Sequence, residues 1–184
     1  MFMSPLEAWF LRDIRAGIIP SAAGDVLEIG IGTGVNGQYY DYSRVNSLTG
    51  LDCEFSPEVD RHYPKEKFSF ALGDIERLPF DARRFDSIVA TLILCTVNLE
   101  KGLNEIKRVL KPGGQFIFIE HVRPPGAMKG KLFDMVNRVW PSFAKGCNLN
   151  RRTDAALAGS GFADVRIKRA CGDVFIYGSA MTSL

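Results

Sequence analysis

The apolar positions of this chain gather into short runs, separated by stretches with helical or turn character. The runs are Val26-Leu27-Glu28-Ile29, Leu48-Thr49-Gly50-Leu51, Phe68–Leu72, Ser87-Ile88-Val89-Ala90-Thr91 and residues 115–122. Apolar runs of this length, bounded by turn residues, predict strands buried on both faces of a parallel sheet. Before the last run, Leu99, Leu103, Ile106 and Leu110 recur at helical spacing behind an Asn98 cap, and Lys111-Pro112-Gly113-Gly114 is expected to stop that helix. Shorter helices are expected at residues 35–40 and from Ser56-Pro57-Glu58 to Pro64. Strands alternating with helices predict an α/β fold with a doubly wound, mostly parallel sheet.

The two ends depart from that alternation. Ser4-Pro5-Leu6-Glu7 has the form of a capping box with proline at the first helical position, and Trp9, Phe10, Ile14 and Ile18 follow on a helix expected to stop before Pro20. This helix is a candidate lid, and equally a helix that packs its apolar stripe on the core. Downstream, residues 127–140 carry Met128, Leu132, Met135, Val136 and Val139 on one helical face, and residues 153–158 form another helix. Residues 162–169 and 174–180 then read as two strands joined by Ala170-Cys171-Gly172-Asp173, a hairpin.

A chain of 184 residues with 46% hydrophobic residues suits one domain built on a single core. Its expected parts are an N-terminal lid helix (1–23), a cofactor-binding half (24–122) and substrate-side helices with the hairpin (123–184). With 23 basic and 21 acidic residues well mixed, for a net charge of +2, neither a nucleic-acid stripe nor a polybasic membrane patch is present, so the expected partner is a small molecule. Cys53, Cys95, Cys147 and Cys171 are far apart in sequence, with no Cys-x-x-Cys pair and no cysteine/histidine cluster, so no zinc pattern is read and reduced thiols are expected. The segment after Met1 lacks the pattern of a secretory signal, and no apolar run approaches the ~18 residues that span a bilayer, so the expectation is a cytoplasmic protein.

The first strand runs into Gly30-Ile31-Gly32-Thr33-Gly34. A turn this dense in glycine lets backbone groups approach a ligand where a Cβ would collide, and a tight connecting turn is the plainer alternative. Asp52 lies 20 residues beyond Gly32 at the end of the second strand, the offset at which an acidic residue accepts hydrogen bonds from ribose hydroxyls. Gly73-Asp74-Ile75 ends the third strand, which makes Asp74 and Ile75 candidates for contact with a nucleoside base. Gly32-x-Gly34-x-x-Gly37 followed by Asp52 is also a literal dinucleotide fingerprint, so a nicotinamide oxidoreductase is a rival reading. The C-terminal hairpin and the missing second nucleotide half weigh against it.

Glu28-Ile29-Gly30-Ile31-Gly32-Thr33-Gly34, Asp52, Gly73-Asp74-Ile75-Glu76-Arg77-Leu78-Pro79-Phe80, Phe85-Asp86 and the run from Leu103 to Gly114 together resemble class I S-adenosylmethionine-dependent methyltransferases, in particular the quinone C-methyltransferase branch. Thr91-Leu92-Ile93-Leu94-Cys95-Thr96-Val97, Glu120-His121-Val122 and Gly146-Cys147-Asn148-Leu149-Asn150-Arg151 are similar to the alkyl thiol methyltransferase-like branch, whose hydrophobic membrane anchor has no counterpart at the start of this sequence.

The resemblance implies a Rossmann-like methyltransferase fold with seven strands, the last antiparallel. It also implies S-adenosylmethionine as cofactor and S-adenosylhomocysteine as product. On it, Gly30, Gly32, Thr33 and Gly34 pass under the methionine part, Asp52 with Cys53 beside it holds the ribose, Asp74 and Ile75 meet the adenine, and Thr91 and Leu92 border the transferred methyl. Glu28 then serves as an acceptor near the cofactor's cationic groups, or alternatively satisfies a helix N-terminus. Trp9, Phe10, Phe133 and Trp140 are the expected lining of an apolar acceptor pocket, with a thiol as the suggested acceptor. Methyl transfer requires no metal. His121, at the end of the fifth run, is a candidate base and equally a hydrogen-bonded structural residue. A protein that binds the cofactor without transferring its methyl is a third reading.

Overall fold

The computed structural model describes residues 5–144 and 146–184, with side chains from residue 11 onward. The Ser4 cap and the side chains of Trp9 and Phe10 lie outside the described residues. Seven strands are present: β1 (Gly24–Ile29), β2 (Val45–Asp52), β3 (Phe68–Leu72), β4 (Phe85–Thr91), β5 (Leu110–His121), β6 (Ala163–Ala170) and β7 (Phe175–Met181). They form one sheet in the order β3-β2-β1-β4-β5-β7-β6. β1 to β5 are parallel, and β7 runs antiparallel to both β5 and β6. The expected α/β sheet with its C-terminal hairpin is therefore what the chain forms.

Alternation along the central strands explains why both sheet faces are apolar. Leu27, Ile29, Ile88, Ala90, Phe116 and Phe118 face one side, where Leu103, Ile106 and Val109 of α2 (Leu99–Val109) and Leu157 of α5 (Thr153–Gly159) cover them. Val26, Leu48, Val89 and Ile117 face the other, under Ile19, Tyr40, Val59 and Tyr63. Each strand thus contributes alternate residues to two cores, which is why its sequence reads as a continuous apolar run. α1 (Pro5–Ile18) brings Leu11 onto Leu92, Ile119 and Phe175 at the carboxyl end of the sheet.

Two boundaries differ from expectation. α2 begins at the Asn98 cap, whose Oδ1 accepts from the Lys101 N–H at 3.1 Å, but it ends at Val109, and Lys111-Pro112-Gly113-Gly114 lies within β5. Leu110 already pairs with Phe85, and a register shift before Ser87 pairs with Gln115 accommodates Pro112 and the positive φ of Gly113. The helix expected over 127–140 divides into α3 (Ala127–Val136) and α4 (Trp140–Phe143), since Pro141 has no N–H for the Asn137 carbonyl and its ring crowds that carbonyl, whereas proline is tolerated in the first turn of a new helix. Its apolar stripe does not reach the core: Met128, Leu132, Met135 and Val139 are exposed. Among the described residues no helix is long and apolar enough to cross a membrane.

Candidate active site

β1 connects outward to β2 while β4 lies on its other side, so the loops after β1 and β4 diverge at the carboxyl edge of the sheet. Open α/β sheets bind ligands in the crevice at such a point. The loop after β1 starts with Gly30 and Ile31, whose N–H groups both donate to the Leu51 carbonyl, at 2.8 and 3.2 Å. Gly30, Gly32 and Gly34 have φ of 69°, 55° and 85°. A Cβ on Gly30 would lie 2.8 Å from Ile93, and one on Gly34 3.0 Å from Tyr63, whereas one on Gly32 would meet nothing within 4 Å. Packing thus demands glycine at the outer two positions. At Gly32 the demand is conformational, and both it and Thr33 beside it are exposed at the carboxyl edge of the sheet.

Asp52 is locked against this turn. Its Oδ2 accepts from the Gly32 N–H at 2.9 Å and its Oδ1 from the Cys53 N–H at 2.8 Å. The Asp52 carbonyl accepts from the Gly73 N–H at 3.0 Å, which places the loop after β3 next to it. There Asp74 is exposed, its Oδ1 accepting from the Glu76 N–H, and Ile75 is buried. Glu76 and Glu105 fasten this loop to α2 by accepting from the N–H groups of Asn98 and Leu78. The glycine turn, Asp52, Cys53 and Asp74 therefore lie together at the carboxyl edge of the sheet, while Ile75 is buried beside them in the core.

Glu28 has a different setting from the one expected. It is buried, and its carboxylate accepts from Asn36 Nδ2 at 2.9 Å and from the hydroxyls of Tyr40 and Tyr63, both at 2.8 Å. Burial holds its carboxyl above the ordinary range, against the pull of those three hydrogen bonds. Asn36 Nδ2 also donates to Thr91 Oγ1 at 2.9 Å, so one amide ties the ends of β1 and β4 together beneath the glycine turn. Leu92 next to it has φ of 57°, a conformation leucine rarely adopts, fixed by its N–H donating to the Ile119 carbonyl at 2.8 Å. Asn36, Tyr40 and Tyr63 were not singled out from sequence, although the aromatic pair after the turn was the available signal.

On the other side of β4 the structure assembles a group that sequence spacing had dispersed. Cys147 Sγ lies 3.3 Å from Cys95 Sγ and 3.8 Å from His121 Nδ1, with all three side chains buried. The expected absence of a cysteine/histidine cluster is therefore corrected: such a cluster forms from three separate segments. Contact with Cys95 and the neighbouring His121 pulls the Cys147 thiol below its ordinary range, against its burial, and the same sulfur contact together with burial pushes the Cys95 thiol up. His121 is 2% exposed and its ring packs on Phe175 at 4.5 Å between centroids, so it faces this cluster rather than open solvent. Glu120 is fully buried, and its Oε1 accepts from the N–H groups of Ile93 and Leu94, fixing the loop after β4. Burial pushes the Glu120 carboxyl up to about 7. Phe133 and Trp140 are half-buried, and the buried indole N–H of Trp140 is one of the neighbours that lower the Cys147 thiol.

Residues 27–118 match the methyltransferase domain family. The chain is 33% identical over 151 residues to the thiol S-methyltransferase TMT1B of Rattus norvegicus, covering 78% of this chain and 62% of that one. It is 32% identical over 157 residues to the human thiol S-methyltransferase TMT1A, covering 81% and 64%. It thus spans less than two thirds of the length of these curated relatives. A solved S-adenosylmethionine-dependent methyltransferase from Mesorhizobium loti superposes with a TM-score of 0.73 at 19% identity, covering 93% of this chain and 97% of that one, a likeness of fold.

Proposed function

Since the chain belongs to the methyltransferase domain family, whose cofactor is S-adenosylmethionine, we propose that it moves a methyl group from that cofactor to the sulfur of a small, largely apolar thiol. The observation that carries the cofactor site is the open, positive-φ face of Gly32 with the Asp52 carboxylate bonded to its N–H. A cradle that a Cβ would fill, rimmed by two carboxylates, fits a ribose diol at Asp52 and an exocyclic amine at Asp74. Ile75 backs the loop on which Asp74 would meet the base, and Thr91 and Leu92 border the reacting carbon. Nothing in the comparisons favours the nicotinamide or non-catalytic alternatives.

When bound, S-adenosylmethionine supplies a methyl carbon already activated by a positive sulfur. The chain's own task is to align an acceptor and exclude water, and alignment alone can be worth ~7–11 kcal/mol. Asn36 and Glu120 serve this by fixing the loop after β4, on which Thr91 and Leu92 are carried. Glu28 acts from beneath the turn, as the anchor for Asn36, Tyr40 and Tyr63. The thiol assignment is supported by the names of the relatives, and the apolar character of the acceptor by the half-buried aromatic residues Phe133 and Trp140.

We read residues 1–184 as one methyltransferase domain whose first helix closes the acceptor side, a role supported by the contact of Leu11 with Leu92. A cytoplasmic setting is our reading for it, in keeping with its free cysteines. The deciding experiment incubates the protein with labelled cofactor and a panel of thiols, amines, phenols and quinols. Methylated thiol is the expected product.

A further inference from the structure

Cys95, His121 and Cys147 come from the loop after β4, the end of β5 and the segment after α4, and their ligand atoms all lie within 4.8 Å of one another. We propose that these three side chains form a binding site for a single zinc-class cation, held by two thiolate sulfurs and one imidazole nitrogen.

Size, softness and charge all favour that occupant. Ligands at zinc distances and tetrahedral angles stand about 3.5–3.8 Å apart; here the sulfurs stand 3.3 Å apart, Cys147 Sγ stands 3.8 Å from His121 Nδ1 and the Cys95–His121 pair lies within 4.8 Å, so small movements of the three side chains accommodate a cation. Two sulfurs and an imidazole select a soft d10 ion over magnesium or calcium. Loading releases to solvent whatever thiol protons the two cysteines carry, and a divalent ion with two thiolates is neutral, which suits a fully buried location. Three protein ligands leave the fourth position to water or a small soft anion.

The carriers of the ligands are also fixed in advance. The Asn148 N–H donates to the Cys95 carbonyl at 3.0 Å, and the Cys147 N–H donates to the Ala144 carbonyl at 2.9 Å. Asn137 Oδ1 accepts from the Leu149 N–H at 2.7 Å, tying the same segment to the end of α3. Glu120 pins the backbone just before Cys95, and Phe175 supports the His121 ring. Such outer contacts orient ligands in metal sites.

The full chain, reduced and stripped with a chelator, is titrated with Co2+, and Zn2+ is then used to displace it. The expected result is a thiolate-to-cobalt charge-transfer band that saturates at about one equivalent. Zn2+ should abolish it. Cys95→Ser and Cys147→Ser should each remove the band, and His121→Ala should weaken binding by on the order of tenfold or more. Replacing the exposed Cys53 or Cys171 with serine should leave it unchanged. Should the cysteine variants not fold, alkylation of wild-type protein followed by mass spectrometry decides, with Zn2+ expected to protect Cys95 and Cys147 specifically. No band and no protection in the wild type, or a band that survives in both Cys95→Ser and Cys147→Ser, would overturn the proposal.

Discussion

The backbone N–H of Gly32 donates to Oδ2 of Asp52 at 2.9 Å, so the glycine turn and the carboxylate at the end of β2 form one unit. Asp52 is thereby aimed before any ligand arrives. If its oxygens accept from ribose hydroxyls, Asp52→Ala should weaken S-adenosylhomocysteine binding by about 2–4 kcal/mol, because bonds to a charged acceptor exceed neutral ones. The fold should lose only about 1–2 kcal/mol, from the exposed bonds to Gly32 and Cys53. Calorimetry alongside urea unfolding measures both, and an unchanged affinity would place the ribose elsewhere.

Gly32 and Gly30 should separate cradle from core. Gly32→Ala meets no neighbour, so it should cost about 1–2 kcal/mol of backbone strain and still fold, while cofactor binding is lost to the intruding Cβ. Gly30→Ala carries the same strain and a 2.8 Å clash with Ile93, for a cost of about 2–5 kcal/mol in stability. Equal losses of stability in the two variants would refute the distinction.

Glu28 offers a test by pH. Its folded-state carboxyl titrates above its ordinary value of 4.5 because it is buried. The folded protein therefore binds that proton more readily than the unfolded chain. Stability should fall as pH rises from about 4.5 through the raised value, and this contribution should vanish in Glu28→Gln, whose pH profile is expected to be flatter. Glu28→Ala is the harsher change. It strands the donors of Asn36, Tyr40 and Tyr63, at a cost of about 3–5 kcal/mol. Thermal unfolding across pH compares the three proteins.

Much of this was legible in sequence where local chemistry dictates structure. The glycine turn, Asp52 and Asp74 end strands whose apolar runs are unambiguous, so their place on the sheet edge follows from the alternation of strand and helix. The partners of Glu28 were not legible, because a carboxylate beside a glycine turn looks like a ligand contact and only the fold brings Asn36, Tyr40 and Tyr63 to it. The Cys95, His121 and Cys147 cluster carries no local spacing signal, since its members come from three separate segments. The exposed stripe of α3 shows the opposite failure: helical periodicity identifies an apolar face but says nothing about which way it turns.

The acceptor side supplies the last prediction. Trp140 and Phe133 are half-buried in the segment that follows β5, and contact with one such aromatic surface is worth about 1–2 kcal/mol. Trp140→Ala should therefore raise the apparent KM for an apolar thiol by roughly 5–30-fold, at about 1.4 kcal/mol per decade, while cofactor affinity changes less than about twofold. The attacking species is the thiolate, so the rate should rise with pH and level off above the acceptor's own pKa of about 8–9. His121 is buried against Phe175 and Cys147, a setting that suits a structural histidine. His121→Ala should accordingly lower the rate by less than the ~10²–10⁴-fold that removal of a general base produces. If a thiol panel yields no product while a charged amine is methylated efficiently, the acceptor assignment fails and the cofactor assignment stands. A Trp140→Ala protein with an unaltered KM would instead move the acceptor away from this segment.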